Sequence, residues 1–219
     1  MNVIFSHFLF FAEALIYLSV VFMHILDKNS STIRLYVIQS VATSFLFVFF
    51  SLREFSLALF LVASLIFMVK VVIAPYFFSK LVLRHHLTFA VSTYASTPLT
   101  LVIIMGLTAL AKSSFFTSLA LSAKENGSII PLSIASILIS LFLIVNRKGA
   151  LSQMVGVLSL ENGIVSWALS AGLSQSVTLE FGIIFDLAVW IVIASMFGSM
   201  IYAHFGTLDV TEMKRLKEE

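Results

Sequence analysis

The sequence predicts an all-α, polytopic membrane helix bundle of about seven transmembrane helices. Three observations carry this. The 219 residues are 60% hydrophobic and only 11% charged, with a mean hydropathy of +1.08. A soluble domain of that length needs a far more charged surface. The apolar residues also come in runs that match the roughly 20 residues a helix needs to cross the hydrocarbon core. Short polar clusters separate the runs.

In chain order, the first run is Val3–Leu26, closed by the polar turn Asp27-Lys28-Asn29-Ser30-Ser31. Its start lacks a basic leader and a small-residue cleavage motif, so it reads as a first span and not as a removed signal peptide. The second run is Ile33–Leu52, with Arg34 at its mouth, and Arg53-Glu54 makes a tight turn. The third is Phe55–Ser79, carrying Lys70 and Pro75, followed by a basic loop over Lys80–His86. Pro75 has no N–H to give to the carbonyl of Val71, which predicts a kink there. The fourth run is Phe89–Leu110, with Lys112 near its end. The fifth is Ser128–Val145, closed by Asn146-Arg147-Lys148; the sixth is Gly149–Ala171; the seventh is Leu179–His204. The chain thus divides into a four-helix membrane part (1–112), an interfacial or outer linker (113–127), a three-helix part (128–205) and a cytoplasmic tail (206–219).

Charge orients the bundle. Lys and Arg collect on the cytoplasmic side of membrane proteins. With the N-terminus outside, nine of the 13 lysines and arginines fall inside. Lys70 lies in the membrane, and Arg53, Lys112 and Lys124 lie outside. The expected location is the cytoplasmic (inner) membrane, with the C-terminus in the cytoplasm.

Composition also excludes functions. There is no Cys, hence no thiolate-held iron–sulfur cluster, Cys-bound zinc, disulfide or Cys nucleophile. A net charge of +2 is too small to suggest nucleic acid. No phosphate-binding glycine loop, zinc motif or nucleophile triad is found. The chain is therefore expected to be non-catalytic, with no cofactor and no metal. His85-His86 reads as an interfacial basic cluster, because adjacent histidines on a helix face different ways.

What remains is a set of ionisable residues deep in apolar runs. At about 1.5 Å rise per residue, Glu161 lies roughly 18 Å, Glu13 about 20 Å and Lys70 roughly 14 Å from the inner face. Asp186 lies roughly 27 Å of helix from the inner end of the last run, and tilt or a protruding C-terminal part brings it nearer the midplane. A charge at mid-membrane costs roughly 2.5–3.5 kcal/mol on insertion scales and marks ion pathways by default. Glu161, Asp186, Lys70 and Glu13 are accordingly the candidate proton-transfer residues. Each has a plainer explanation: Glu161 and Asp186 as polar glue between helices, Lys70 as a snorkelling side chain, Glu13 as an inert interhelical hydrogen bonder. His24 and His204 sit at inner helix ends, where they could relay protons at the exit; solvation of the helix ends is the plainer reading. Gly156, Gly163, Gly172, Gly182 and Gly198 read as sites of close helix packing. Because Glu161 and Asp186 lie on successive runs joined by a short link, their helices are expected to be antiparallel neighbours.

Four segments carry a resemblance: SQMVGVLSLENGIV (152–165), LEFGIIFDLAVWIVIASMF (179–197), HFGTLDV (204–210) and KVVIAP (70–75). Together they resemble the hydrogenase-4 component E family, membrane subunits of formate hydrogenlyase and energy-converting hydrogenase complexes. The likeness is strong from Asn146 to Val210 and diffuse before Leu52. The last three runs are also similar to the small K-type subunit of complex I. Arg147-Lys148 takes the place of its basic loop, and Glu161 and Asp186 take the places of its two mid-helix acids. Asp186 stands where Glu is usual, and Phe205 separates His204 from Gly206 where the family has His directly before Gly.

The resemblance implies a subunit that contributes to proton or sodium translocation coupled to electron transfer elsewhere in a complex. It also implies partners: antiporter-like subunits, a membrane anchor subunit and the lipid bilayer. A free-standing ion or solute transporter, which calls for an inverted repeat, and a passive membrane scaffold are the alternatives.

Overall fold

A computed structural model describes residues 3–53, 57–87, 89–90, 92–116, 129–171, 177–206 and 208–209. These residues are almost wholly helical. The elements are α1 (Val3–Ile25), α2 (Asn29–Arg53), α3 (Leu57–Phe67), a π-helical stretch (Met68–Ile73), α4 (Ala74–Arg84), α5 (Thr97–Ala111), α6 (Ile130–Asn146), α7 (Ala150–Ser170) and α8 (Val177–Phe205). Among the described residues, three stretches are long and apolar enough to cross a membrane: Ser6–Ile25, Asn29–Leu52 and Phe60–Arg84. Thr97–Ala111, Ile130–Asn146 and Trp190–Phe205 are shorter apolar helices. Phe10, Phe11, Phe45, Met105 and Met196 stand exposed on the outside, as lipid-facing side chains do. The chain is a helical bundle of the membrane type.

The third run is one rod with a defect. The helix passes from α3 into α4 through six residues of π-helix, where the N–H of Ala74 bonds back to the carbonyl of Val69. The expected disturbance at Pro75 therefore spreads toward the N-terminus and encloses Lys70. In this wider register the carbonyl of Lys70 would look to residue 75, and a proline has no N–H to give it.

The fourth helix is shorter than its apolar run. It begins at Thr97, not at Phe89, with Ser96 extended before it and Pro98 in its first turn. Residues 89–90 and 92–96 are not helical and are tied to other loops. Ala90 N–H donates to the Asp27 carbonyl (2.6 Å), Tyr94 N–H to the Asn146 carbonyl (2.9 Å), and Lys148 N–H to the Ser92 carbonyl (3.3 Å). Isolated antiparallel bridges join Lys28 to Phe89, Thr93 to Arg147 and Gly149 to Asp209. The Asn29 side chain donates to the carbonyls of Leu87 and Phe89, and Asn146 accepts from Ala95 N–H.

The tail joins the same weave. Gly206 takes φ +68 beyond the end of α8, a conformation that favours glycine. The chain then turns back so that Ala150 N–H bonds to the Leu208 carbonyl at 3.0 Å. Four connections thus share one end of the bundle: those after α1, α4, α6 and α8.

In the core, α7 packs most closely on α6 and also on α2. Glycines allow this approach: a Cβ at Gly156 would stand 2.8 Å from Ile144 Cγ1, and one at Gly163 3.1 Å from Ile137 Cγ1. The last helix departs from expectation. It lies against α3 and α4 and barely touches α7, because α6 and α2 already occupy the α7 surface. At Gly198 a Cβ would be 3.2 Å from Leu81 Cδ2 on α4.

Candidate functional site

A seam of buried polar residues runs through the bundle along α7. Ser152, Ser159, Asn162, Ser166 and Ser170 are buried, and their spacing of three, four or seven residues places them on one helix face. Opposite them stand polar residues of α1, α2, α6 and the π-helical stretch.

Lys70 is the centre of the seam. It is 2% exposed, and its Nζ lies 2.9 Å from Glu161 Oε1. It also donates a hydrogen bond of 2.9 Å to Asn162 Oδ1. The ammonium thus touches two successive residues of α7, a carboxylate and an amide carbonyl. Asn162 passes the contact on: its Nδ2 donates to Ser40 Oγ (3.0 Å) and toward Gln39 Oε1 (3.4 Å) on α2. Gln39 Nε2 in turn reaches the Ile16 carbonyl of α1 at 3.4 Å. Asn162, Gln39 and Ser40 are fully buried. The Glu161 side chain is 21% exposed, but both of its carboxylate oxygens are buried. Lys70 does not snorkel: an ammonium this buried requires a partner, and it has two.

Glu13 forms a second cluster, one turn along the same face of α7. Its Oε1 accepts from Ser166 Oγ at 2.6 Å and Ser170 Oγ at 2.7 Å, and the residue is fully buried on α1. Ser140 and Ser159 share a hydrogen bond of 2.9 Å between α6 and α7. The seam therefore ties four rods to α7 through side-chain hydrogen bonds.

Asp186 and Glu180 lie on α8, and their side chains fall outside the described residues. The structure brings Glu161 together with Lys70, and Glu13 with the α7 serines. His24 is buried, not solvated: it is 4% exposed, its Nε2 lies 3.1 Å from the Ile139 carbonyl, and its ring stacks on Phe142. His204 is exposed beside Phe205. Among the described residues no group of three or more His, Asp or Glu could hold a metal ion.

Arg147 belongs to a basic loop by sequence, yet it is 2% exposed. Its Nη2 donates to the carbonyls of Met23 (2.7 Å), His24 (3.2 Å) and Leu26 (2.9 Å). These are carbonyls left over where α1 ends, so the guanidinium caps that helix from another rod. Burial draws its pKa below the ordinary value, while the Asp27 carboxylate opposes the shift. Gln153 Nε2 holds the Arg147 carbonyl at 2.8 Å.

Ser166, Gln39 and Ser40 carry no signal of their own in the sequence, because uncharged polar residues are common in apolar runs, and Asn162 stands out only as part of the Glu161-Asn162-Gly163 motif of the resemblance. The usable signal was the helical spacing of serines around Glu161-Asn162.

Comparison with known proteins finds the chain similar to the uncharacterized protein Rv0085 of Mycobacterium tuberculosis, with 27% identity over 89 residues. The aligned region is 41% of this chain and 40% of that protein's length. No family model and no solved structure matches the chain.

Proposed function

We propose that this chain is an integral subunit of a complex I-related membrane assembly of the hydrogenase or formate hydrogenlyase type, and that it takes part in moving protons or sodium ions. One observation carries the reading: a lysine 2% exposed, set in a π-helical turn, 2.9 Å from a carboxylate on another helix. Such turns occur often at functional sites, where they supply a local alternative to the α register. The ammonium has two partners within reach, Glu161 and Asn162. In contact with Glu161 it balances a carboxylate. Shifted fully onto Asn162, it leaves Glu161 free to take a proton. A charge arriving from a neighbouring subunit would bias that choice, and Asp186 and Glu13 would extend the row on either side.

In this reading the chain crosses the membrane seven times, with α3 to α4 as a single span and the N-terminus outside. Two features support it. The connections after α1, α4, α6 and α8 meet at one end, as alternate loops of a seven-span chain must. That end also carries Lys28, Lys80, Arg84, Arg147 and Lys148, the bias expected of a cytoplasmic face.

The scaffold alternative has one observation in its favour. Glu13 accepts two hydroxyl hydrogen bonds from α7, an arrangement that suits polar glue between helices. The subunit reading is tested by isolating the tagged full chain from its native membrane in mild detergent. Iron–sulfur or nickel-bearing subunits should accompany it. A chain that purifies alone or as a homo-oligomer, with transport activity in vesicles, would establish the free-standing transporter instead.

A further inference from the structure

Outside the polar seam, the bundle has a groove between α4 and the second half of α8. We propose that it is a site for one anionic phospholipid, with its phosphate on Lys80 and Arg84 and an acyl chain running inward between the two helices.

The groove has a volume of about 350 Å³, at the small end of the range for ligand sites. The two helices run parallel here: Gly198 stands over Leu81, and the Tyr202 ring lies 4.2 Å from the His85 ring. The small residue at 198 lets α8 close onto Leu81 and form the floor. Depth along the groove therefore sorts by residue number on both walls. Phe77 and Val192 line the deep, apolar part; Arg84 and Met200 line the mouth. The mouth is at the woven end, where the basic loops lie.

Charge follows the same gradient. Lys80 and Arg84 are four residues apart, so they share a helix face, and both are exposed. Lys80 Nζ rests 5.9 Å from the Tyr76 ring centroid. No carboxylate lines the groove among the described residues. Between the cations and the apolar floor, Ser195 and Ser199 line the wall. The Ser195 hydroxyl is buried without a hydrogen-bond partner among the described residues, at the level where a lipid's ester groups would lie. Cations at the mouth, a hydroxyl at mid-depth and hydrocarbon below form the mirror image of a phospholipid. Basic pockets between helices on the cytoplasmic side bind such headgroups.

The test uses the full chain purified in detergent, titrated with phosphatidylglycerol or phosphatidylcholine and read by native mass spectrometry. Phosphatidylglycerol should bind about 30-fold tighter, from about 1 kcal/mol for each of two basic residues near the anionic surface. The pair Lys80→Gln and Arg84→Gln should abolish that preference. Ser199→Phe should weaken both lipids while leaving both cations in place. Lys28→Gln with Lys148→Gln removes as much charge from the same end and should leave the preference intact. Millimolar inorganic phosphate should not displace the lipid, since the acyl chain is part of the fit. Equal binding of the two lipids, displacement by phosphate, or an equal loss in the charge control would overturn the proposal. So would a photocrosslinker at Met200 that, in the intact assembly, captures a polypeptide and no lipid.

Discussion

Lys70 and Glu161 meet 2.9 Å apart across two rods of the bundle, and the lysine comes from the π-helical turn. The two residues are 91 positions apart in sequence, and each lies in an apolar run. Removing one partner of a buried ion pair costs about 3–5 kcal/mol because the other charge is stranded. Here the cost is moderated by Asn162, which also holds the ammonium, while both carboxylate oxygens of Glu161 are themselves buried. The arrangement can therefore lose one contact of Lys70 without losing the fold, as a switching pair requires.

Asn162 should prove necessary for that tolerance. Asn162→Ala removes the acceptor of the Lys70 hydrogen bond and the donor to Ser40. It should lower stability by about 1–3 kcal/mol, seen as an earlier thermal unfolding of the purified chain in detergent. Asn162→Asp should retain the fold but hold the ammonium between two carboxylates, and so slow ion movement. A wild-type melting curve for the alanine variant would show that the amide carries no such load.

Arg147 should matter to stability more than a loop residue does. Its Nη2 serves three carbonyls at the end of α1. Arg147→Gln should destabilise the chain by about 1–3 kcal/mol, and Arg147→Lys should recover part of this, because a lysine brings charge without the planar fork. Thermal unfolding in detergent decides it: two variants as stable as wild type would contradict the capping role.

The absence of cysteine from the chain makes its topology easy to test. Single cysteines at Lys28 and Lys148 should react with a membrane-impermeant maleimide only when the cytoplasmic face is accessible. A cysteine at Lys112 should react only from the opposite face. Labelling of 28 and 148 from different sides would break the alternation on which the seven-span reading rests.

Hydropathy made the rods visible, and the cost of charge in a membrane pointed to Lys70, Glu161 and Glu13. Their pairing was hidden. Rise per residue gives depth along a helix but not the direction it faces in the bundle, so the helix of Glu161 was expected beside that of Asp186 on the next run. The structure instead lays α8 on α3 and α4. The start of α5 was misplaced for a related reason. Phe89–Ser96 is apolar enough to extend a span, but backbone groups of Ala90, Ser92, Tyr94 and Ala95 are taken by Asp27, Asn146 and Lys148. Those are long-range contacts that a local pattern does not contain. The π-helical turn was foreshadowed by Pro75, whose missing N–H disturbs the ladder before it.

The most direct measurement is the number of ions taken up into vesicles per electron transferred, in the assembled complex, for Glu161→Gln alone and combined with Lys70→Gln. Glutamine keeps the size and hydrogen bonding of the acid and removes its charge and its titration. Assembly is verified on a native gel, so that any loss of the fold is seen separately. The account predicts that electron transfer continues while ions moved per electron fall sharply in the single variant and stay low in the double. An unchanged ratio of ions to electrons in a fully assembled double variant would contradict it, leaving the buried pair as structural glue and the chain as a scaffold.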